Sequence, residues 1–206
     1  MLSIVKILDD VTEWARENIC SKIQLKVPPQ TGEPNDEEYA YKTANPVAFT
    51  MFVPTEDRLP KDIPTVFPSL CVRFLEGEDD LAEMKGTIGI QLLLSVWNPG
   101  THAADQLAPV PRNSLQWQAQ SAENVKFRRN GDGWRDVWNF ADIAVQAIEK
   151  STHISGYEID HSVPVKFGPL TEQEAVPDYY PFWFAWVSFR LSYPLRHSAA
   201  DILEFL

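Results

Sequence analysis

Two long stretches of this sequence alternate apolar and polar side chains, and this alternation restricts the fold more than any other feature. Residues 86–97, GTIGIQLLLSVW, place an apolar side chain at every second position from Ile88 to Val96. Residues 181–193, PFWFAWVSFRLSY, have one face that is apolar throughout and another that changes from aromatic to polar. Because successive side chains of a strand point to opposite faces, both stretches predict β-strands with a buried face.

Two other stretches carry the helical period. Residues 3–21 place apolar side chains at three- and four-residue steps, which predicts an amphipathic helix with Ser3 as its N-cap. Residues 134–150 have the same period, with Asp136 in the first turn and Lys150 at the end, as the helix dipole favours. Two helices are therefore predicted, each with one apolar face.

Shorter strand candidates surround these elements. They lie at 47–53, 66–75, 154–160 and 162–168, and the second of them is expected to begin after Pro68. The acidic run EGEDD, residues 76–80, is predicted to be an exposed hairpin-like turn. Clustered strands with two helices predict an α+β fold: a mainly antiparallel mixed β-sheet with two principal helices packed on one face.

The length of 206 residues predicts a single α+β domain over 1–206. Residues 28–46 lack either period and are predicted to be an irregular loop. A longer irregular excursion is predicted at about 98–133, where three prolines break any regular pattern. It ends in a small basic cluster: Lys126, Arg128 and Arg129.

The charge balance argues against nucleic acid as the main partner. Eighteen Lys and Arg residues oppose 29 Asp and Glu residues, which leaves a formal net charge of −11. Proteins that bind nucleic acid do so mainly through Lys and Arg contacts to phosphate, so an acidic surface repels it. Specific nucleic-acid binding is therefore not expected.

The cysteine count and the hydropathy pattern predict a protein kept in a reducing cytosol unless an assembly carries it out. Cys20 and Cys71 are too few for a disulfide framework in a chain of this size, so free thiols are expected. The N-terminus becomes charged before it could form the apolar part of a signal peptide. No apolar run approaches the ~20 residues that span a bilayer, so no membrane partner is expected.

Sequence signatures of catalysis are missing. The chain has no nucleophile elbow, P-loop, dinucleotide-binding glycine pattern or HExxH motif. His153 and His161 are eight residues apart with no third metal ligand indicated, so both are predicted to be surface histidines. Cys71 lies in an apolar strand and is predicted to be a small core residue. We therefore predict no enzyme, no cofactor and no metal, although a small enzyme with an unrecognised site stays open as an alternative.

Two features favour contact with other subunits. The last strand also carries large aromatic side chains on its second face, namely Phe182, Phe184 and Trp186. That face requires either a covering helix or a partner subunit. The basic cluster Lys126, Arg128 and Arg129 is either a solvated loop or a contact with the acidic loop of a neighbouring subunit. These six residues are the candidate interface residues.

Three segments resemble the tail-terminator, or tail-completion, proteins of long-tailed bacteriophages and prophages. FPSLCVRFLEGEDD, residues 67–80, is similar to that family's Phe-Pro-x-x-x-Val-Arg strand with its following Gly-x-Asp. GWRDVWNFADIAVQAIEK, 133–150, is similar to the aromatic-x-Asp-x-x-Asn opening of the family's second helix. PDYYPFWFAWVSFRLSYP, 177–194, resembles its aromatic closing strand. The segments occur in the family's order, and together they cover about a quarter of the chain.

The resemblance implies a structural protein of the virion that forms a ring, usually of six subunits. Such a ring caps the head-proximal end of the tail tube, ends tail polymerisation and presents the head-tail joining surface. The implied partners are further copies of the chain, the tail tube protein and a head connector or completion protein. The implied location is the head-proximal end of the tail, after assembly in the host cytoplasm. The excursion at 98–133 departs from the family pattern, and a neck or head-completion protein is the nearest alternative.

Overall fold

The structure, a computed structural model, describes residues 3–29, 42–63, 65–98, 133–172, 175–177 and 179–195. The helices in these ranges are α1 (Ile4–Asn18) and α2 (Trp134–Lys150), with short 3-10 turns at Cys20–Lys22 and Glu56–Arg58. The strands are β1 (Leu25–Lys26), β2 (Thr43–Ala44), β3 (Val47–Thr50), β4 (Ser69–Asp80), β5 (Lys85–Trp97), β6 (His153–Ile154), β7 (Tyr157–Ile159), β8 (Lys166–Pro169) and β9 (Phe182–Pro194).

Seven of these strands form one mixed sheet. Its order is β3-β4-β5-β9-β7-β6, and β8 pairs with β9 beside β7. Only the β3–β4 pairing is parallel among the pairings that the structure describes; the other pairs are antiparallel. The longest ladder joins β5 to β9, from Lys85 opposite Pro194 to Trp97 opposite Phe182. The prediction of an α+β fold with a mainly antiparallel mixed sheet is confirmed.

Both helices lie on the inner face of this sheet. The apolar side of α1 is buried at Ile7, Leu8, Val11 and Ala15, and that of α2 at positions that include Phe140. They pack on the alternate residues of β4, β5 and β9 whose exposure is near zero, which are Leu70, Val72, Ile88, Ile90, Leu92, Leu94, Val96, Ala185, Val187 and Leu191. Ser3 occupies the N-cap position of α1, but its side chain makes no capping hydrogen bond.

The prediction of a turn at residues 76–80 is wrong, because β4 continues through all of EGEDD. Glu76 to Asp80 pair in register with Gly89 to Lys85 of β5. The chain reverses at residues 81–84, where Asp80 Oδ1 accepts hydrogen bonds from the backbone N–H groups of Ala82 (2.8 Å) and Glu83 (3.0 Å). Glycine and acidic residues resemble a turn in sequence, but an exposed strand also accommodates their charges.

Other predicted boundaries move by a few residues. The strand expected at 47–53 ends at Thr50, since Met51 has a φ of 68° and leaves the ladder. The strand expected after Pro68 does begin at Ser69. The stretch 154–160 forms the β6–β7 hairpin, and the strand expected at 162–168 is reduced to β8. Nearly all of the 98–133 excursion, and residues 30–41 of the predicted 28–46 loop, lie outside the described residues.

Candidate subunit interface

The aromatic end of β9 packs against its own chain on the outer face of the sheet. Phe182 and Phe184 are half-buried, and the ring of Phe67 lies 4.7 Å from the first and 6.3 Å from the second, centroid to centroid. Tyr179 meets Phe184 edge-on at 5.7 Å. Aromatic pairs at these separations attract one another beyond the area that they bury. Part of the second face that the sequence left unexplained is therefore covered by Phe67 and Tyr179, and no described helix lies on it.

Trp186, the third predicted interface residue of β9, lies against β8. Its indole Nε1 donates a hydrogen bond of 3.0 Å to the carbonyl oxygen of Pro169. Gly168 is directly opposite Trp186 in the ladder, and a Cβ placed on Gly168 would lie 3.0 Å from the indole ring. The glycine thus makes room for the ring. Trp186 remains half-buried, so a partner subunit has part of the indole left to contact.

The outer face becomes polar and charged towards the β4–β5 turn. Arg190 of β9 lies 3.6 Å from Glu76 of β4 across the intervening β5. Together with Glu78 and Thr87 they line an open groove of about 270 Å³, whose floor includes Gly89. A pair this exposed contributes little to stability. The groove brings opposite charges together, and its lining contains neither a thiol nor an imidazole.

The free edge of β4 is the most exposed part of the sheet. β3 pairs with β4 only from Ser69 to Val72, after which Met51 donates its backbone N–H to the Val72 carbonyl oxygen at 2.7 Å. From Arg73 to Asp80 no other described strand pairs with this edge. The side chain of Glu76 is 75% exposed. Long exposed edges invite pairing with another chain, and charged side chains are one means by which proteins restrain it.

Apolar side chains border the start of this edge. Leu75, the residue at the β4 bulge, is 47% exposed, and Phe52 is 70% exposed. Met51 and Val53 are exposed as well, and the Met51 sulfur accepts a hydrogen bond from the Phe74 N–H at 3.5 Å. An exposed apolar group of this kind, beside unpaired backbone, is typical of a contact surface.

A polar junction fixes the two ends of the undescribed segment 99–132. Asn98 accepts a hydrogen bond from Lys26 Nζ at 2.9 Å on its side-chain oxygen and donates one from Nδ2 to Asp136 at 2.6 Å. Its carbonyl oxygen accepts the indole N–H of Trp183 at 2.9 Å. Burial lowers the pKa of Lys26, and the nearby carboxylate of Asp136 opposes that shift. A Cβ on Gly133 would lie only 2.0 Å from the Asn98 carbonyl oxygen. The residues that precede and follow the segment 99–132 are therefore in contact with each other.

Sequence reasoning missed both the β4 edge and this junction. The edge had a signal, since Glu76, Glu78 and Asp80 alternate with two other residues as strand positions do. The junction had none, because Asn98 and Gly133 are distant in sequence. The predicted basic residues Lys126, Arg128 and Arg129 lie outside the described residues, so the structure does not place them.

The remaining candidates for chemistry are two histidines and two cysteines. His153 shares a hydrogen bond with Thr152, and His161 with the Ser151 carbonyl. Among the described residues, no three His, Cys, Asp or Glu side chains are grouped so that they could hold a metal ion. Both cysteines are free and buried, and burial raises the pKa of Cys20 to about 12 and that of Cys71 to about 11. Burial therefore keeps both thiols protonated at neutral pH, and the thiol is the less nucleophilic form.

In the part of the chain that the structure describes, no helix is long and apolar enough to cross a membrane. No protein-family model matches the sequence, and no curated protein matches it either.

Proposed function

We propose that this chain is the subunit of a ring that ends tail-tube growth in a long-tailed bacteriophage or prophage. The ring, of six copies, caps the head-proximal end of the tube and offers a joining surface to the head connector. It assembles in the host cytoplasm and remains in the virion. In this role the chain binds copies of itself and other proteins, and it needs no cofactor and no catalysis.

The observation that carries this proposal is the placement of the three segments that resemble tail terminators. They contain β4, α2 and β9, which are far apart in sequence. In the sheet, β5 lies between β4 and β9 and pairs with both, and α2 packs on β5 and β9. The three segments thus contribute to one part of the sheet and its covering helix, as the matching elements of a single family fold would.

The acidity of the chain also suits a ring through which DNA passes. Each subunit carries a formal charge of −11, so a ring of six has a strong negative field that repels DNA phosphates instead of holding them. The same charge opposes assembly. Salt screens repulsion between distant charges more than attraction between charges in contact, and we therefore expect assembly to strengthen as salt is raised towards physiological concentration.

Light scattering coupled to size-exclusion chromatography tests the ring, at several protein and salt concentrations. We expect one closed oligomer, with rings in negative-stain electron micrographs. Added to polymerising tail tube protein of a matching phage, the rings should shorten the tubes and be seen at one tube end. A chain that stays monomeric at high concentration and salt, and leaves tube length unchanged, would refute the proposal. Rings that bind the isolated head connector but not the tube would identify a head-completion protein instead.

A further inference from the structure

We propose that the free edge of β4, from Glu76 to Asp80, receives the basic stretch 125–129 of a second copy as an added antiparallel or parallel strand. This inference rests on the proposed ring and specifies how neighbouring subunits would be joined. The docking surface belongs to the described fold, and the occupant is identified by charge and sequence pattern.

The backbone of the edge is available for pairing. Residues of an antiparallel strand alternate between directing their N–H and C=O groups towards the partner and away from it. Met51 contacts the Val72 carbonyl and the Phe74 N–H, so the backbone groups of Val72 and Phe74 point away from β5. The bulge at Leu75 adds one residue, so beyond it the residues whose backbone groups point away from β5 are Gly77 and Asp79. On that side of β4, no other described strand pairs with these two residues.

The side chains of the edge differ between its two faces. Glu76 and Glu78 lie on the outer face, opposite Gly89 and Thr87 of β5, whereas Gly77 lies on the inner face opposite Ile88. An incoming strand would therefore meet Glu76 and Glu78 on one face, followed by Asp80, whose carboxylate also accepts hydrogen bonds in the turn. On the other face it would meet the space beside Gly77, followed by Asp79, whose carboxylate accepts a hydrogen bond from Tyr193. Opposite charges on neighbouring strands stabilise pairing, and like charges oppose it.

The stretch 125–129, Val-Lys-Phe-Arg-Arg, has the matching pattern. Lys126 and Arg128 alternate with Val125, Phe127 and Arg129, so as a strand it would present two cations on one face and two apolar side chains followed by Arg129 on the other. It is the most basic short stretch of a chain whose net charge is −11. Pairing Lys126 and Arg128 with Glu76 and Glu78 would place Phe127 on the face of Gly77.

The edge is accessible to a second copy, because every residue from Leu75 to Lys85 is exposed. A head-to-tail contact of this kind uses two different surfaces of each subunit, which is the type of interface that closes into a ring. It would also add attraction between subunits whose net charges repel.

Charge reversal in two variants tests the contact. The edge variant is Glu76→Lys with Glu78→Lys, and the strand variant is Lys126→Glu with Arg128→Glu. We expect each variant alone to associate at least tenfold more weakly than the parent chain. An equimolar mixture should form rings again, because each variant then meets an oppositely charged surface on the other. Arg129→Glu reverses a single charge on the other face of the stretch, and it should have the smaller effect.

Net charge alone predicts a different result. The edge variant has a formal charge of −7 instead of −11, so weaker repulsion would strengthen its assembly. Edge variants that assemble as well as the parent would therefore overturn the proposal. So would a mixture that stays monomeric, which is the result expected if the stretch binds the edge of its own chain.

A backbone variant tests the strand addition independently of charge. Gly77→Pro removes an outward N–H without removing a hydrogen bond to β5, and prolines are tolerated at such edge positions. Gly77→Ala is its control, because a Cβ there meets only ordinary contacts, the nearest at 3.5 Å. We expect the proline variant to melt as the alanine variant does, yet to lose ring formation. If the parent chain forms rings and both the proline and the charge variants form them too, the β4 contact is refuted and the proposed ring stands. A parent that is always monomeric would refute both.

Discussion

Replacing Gly133 by alanine tests the junction at which the segment 99–132 leaves and rejoins the fold. The added methyl carbon would lie 2.0 Å from the Asn98 carbonyl oxygen and 2.9 Å from the Trp183 indole nitrogen. The carbonyl belongs to the backbone, so it cannot turn aside as a flexible side chain would. Overpacking of this kind costs about 1–3 kcal/mol. Displacing the carbonyl also weakens the hydrogen bond from Trp183, which contributes about 1 kcal/mol.

One term acts in the opposite direction. Gly133 has helical dihedral angles, φ −55° and ψ −30°, so alanine fits the backbone there and restricts the unfolded chain, a gain of about 0.4–1 kcal/mol. The balance is a destabilisation of about 2 kcal/mol. At about 2–4 °C per kcal/mol for a chain of this length, the melting temperature should fall by about 4–8 °C.

Thermal unfolding followed by circular dichroism measures this change, at a concentration where light scattering finds monomers. Trp183→Phe leaves Gly133 unchanged and removes the hydrogen bond together with part of the indole ring, so it should cost at least about 1 kcal/mol. Gly77→Ala controls for the change of residue type at a position with ordinary contacts. A Gly133→Ala chain as stable as the parent would refute the close approach of Asn98 and Gly133.

Three further predictions concern titration, thiol reactivity and the aromatic face. Burial and a hydrogen bond to Asp10 raise the pKa of Tyr157 to about 12 from an ordinary 10.0. The folded state therefore holds this proton more tightly than the unfolded one, and urea titrations between pH 10 and 12 should show stability falling with pH, less steeply in Tyr157→Phe. Cys20 and Cys71 should resist Ellman's reagent at pH 8 until the chain unfolds, and rapid labelling of the folded protein would contradict their burial. Trp186→Ala should weaken either the ring or the monomer, and only loss of the ring with an unchanged monomer melting curve supports an interface role.

The helices and the long strands could be predicted because each buries one face against the same core. The helical stripe of α1 and the alternation in β5 are direct consequences of that burial, so they are visible in sequence. The acidic end of β4 was misread because its burial signal disappears where the strand becomes an exposed edge. There the sequence contains only acidic residues and a glycine, and turns are rich in the same residue types.

The candidate interface was harder to predict, since it depends on which residues become neighbours. Phe184 and Trp186 were recognised as belonging to a second aromatic face. What covers them could not be predicted, because the packing of Phe67 and the register of β8 are tertiary features. The network around Asn98 likewise joins residues from four separate parts of the chain, and no local pattern encodes it.

The junction of Asn98 and Gly133 has a consequence for how this chain can vary. The free energy of closing a connection between two fixed residues rises only slowly with its length, by about 0.6 kcal/mol for each doubling. Because the two anchoring residues are already adjacent, insertions or deletions between them leave the register of β5 and the start of α2 unchanged. Related chains can therefore differ widely in this segment while keeping the same sheet. The same position is a natural place to graft a peptide tag or a small domain onto the fold.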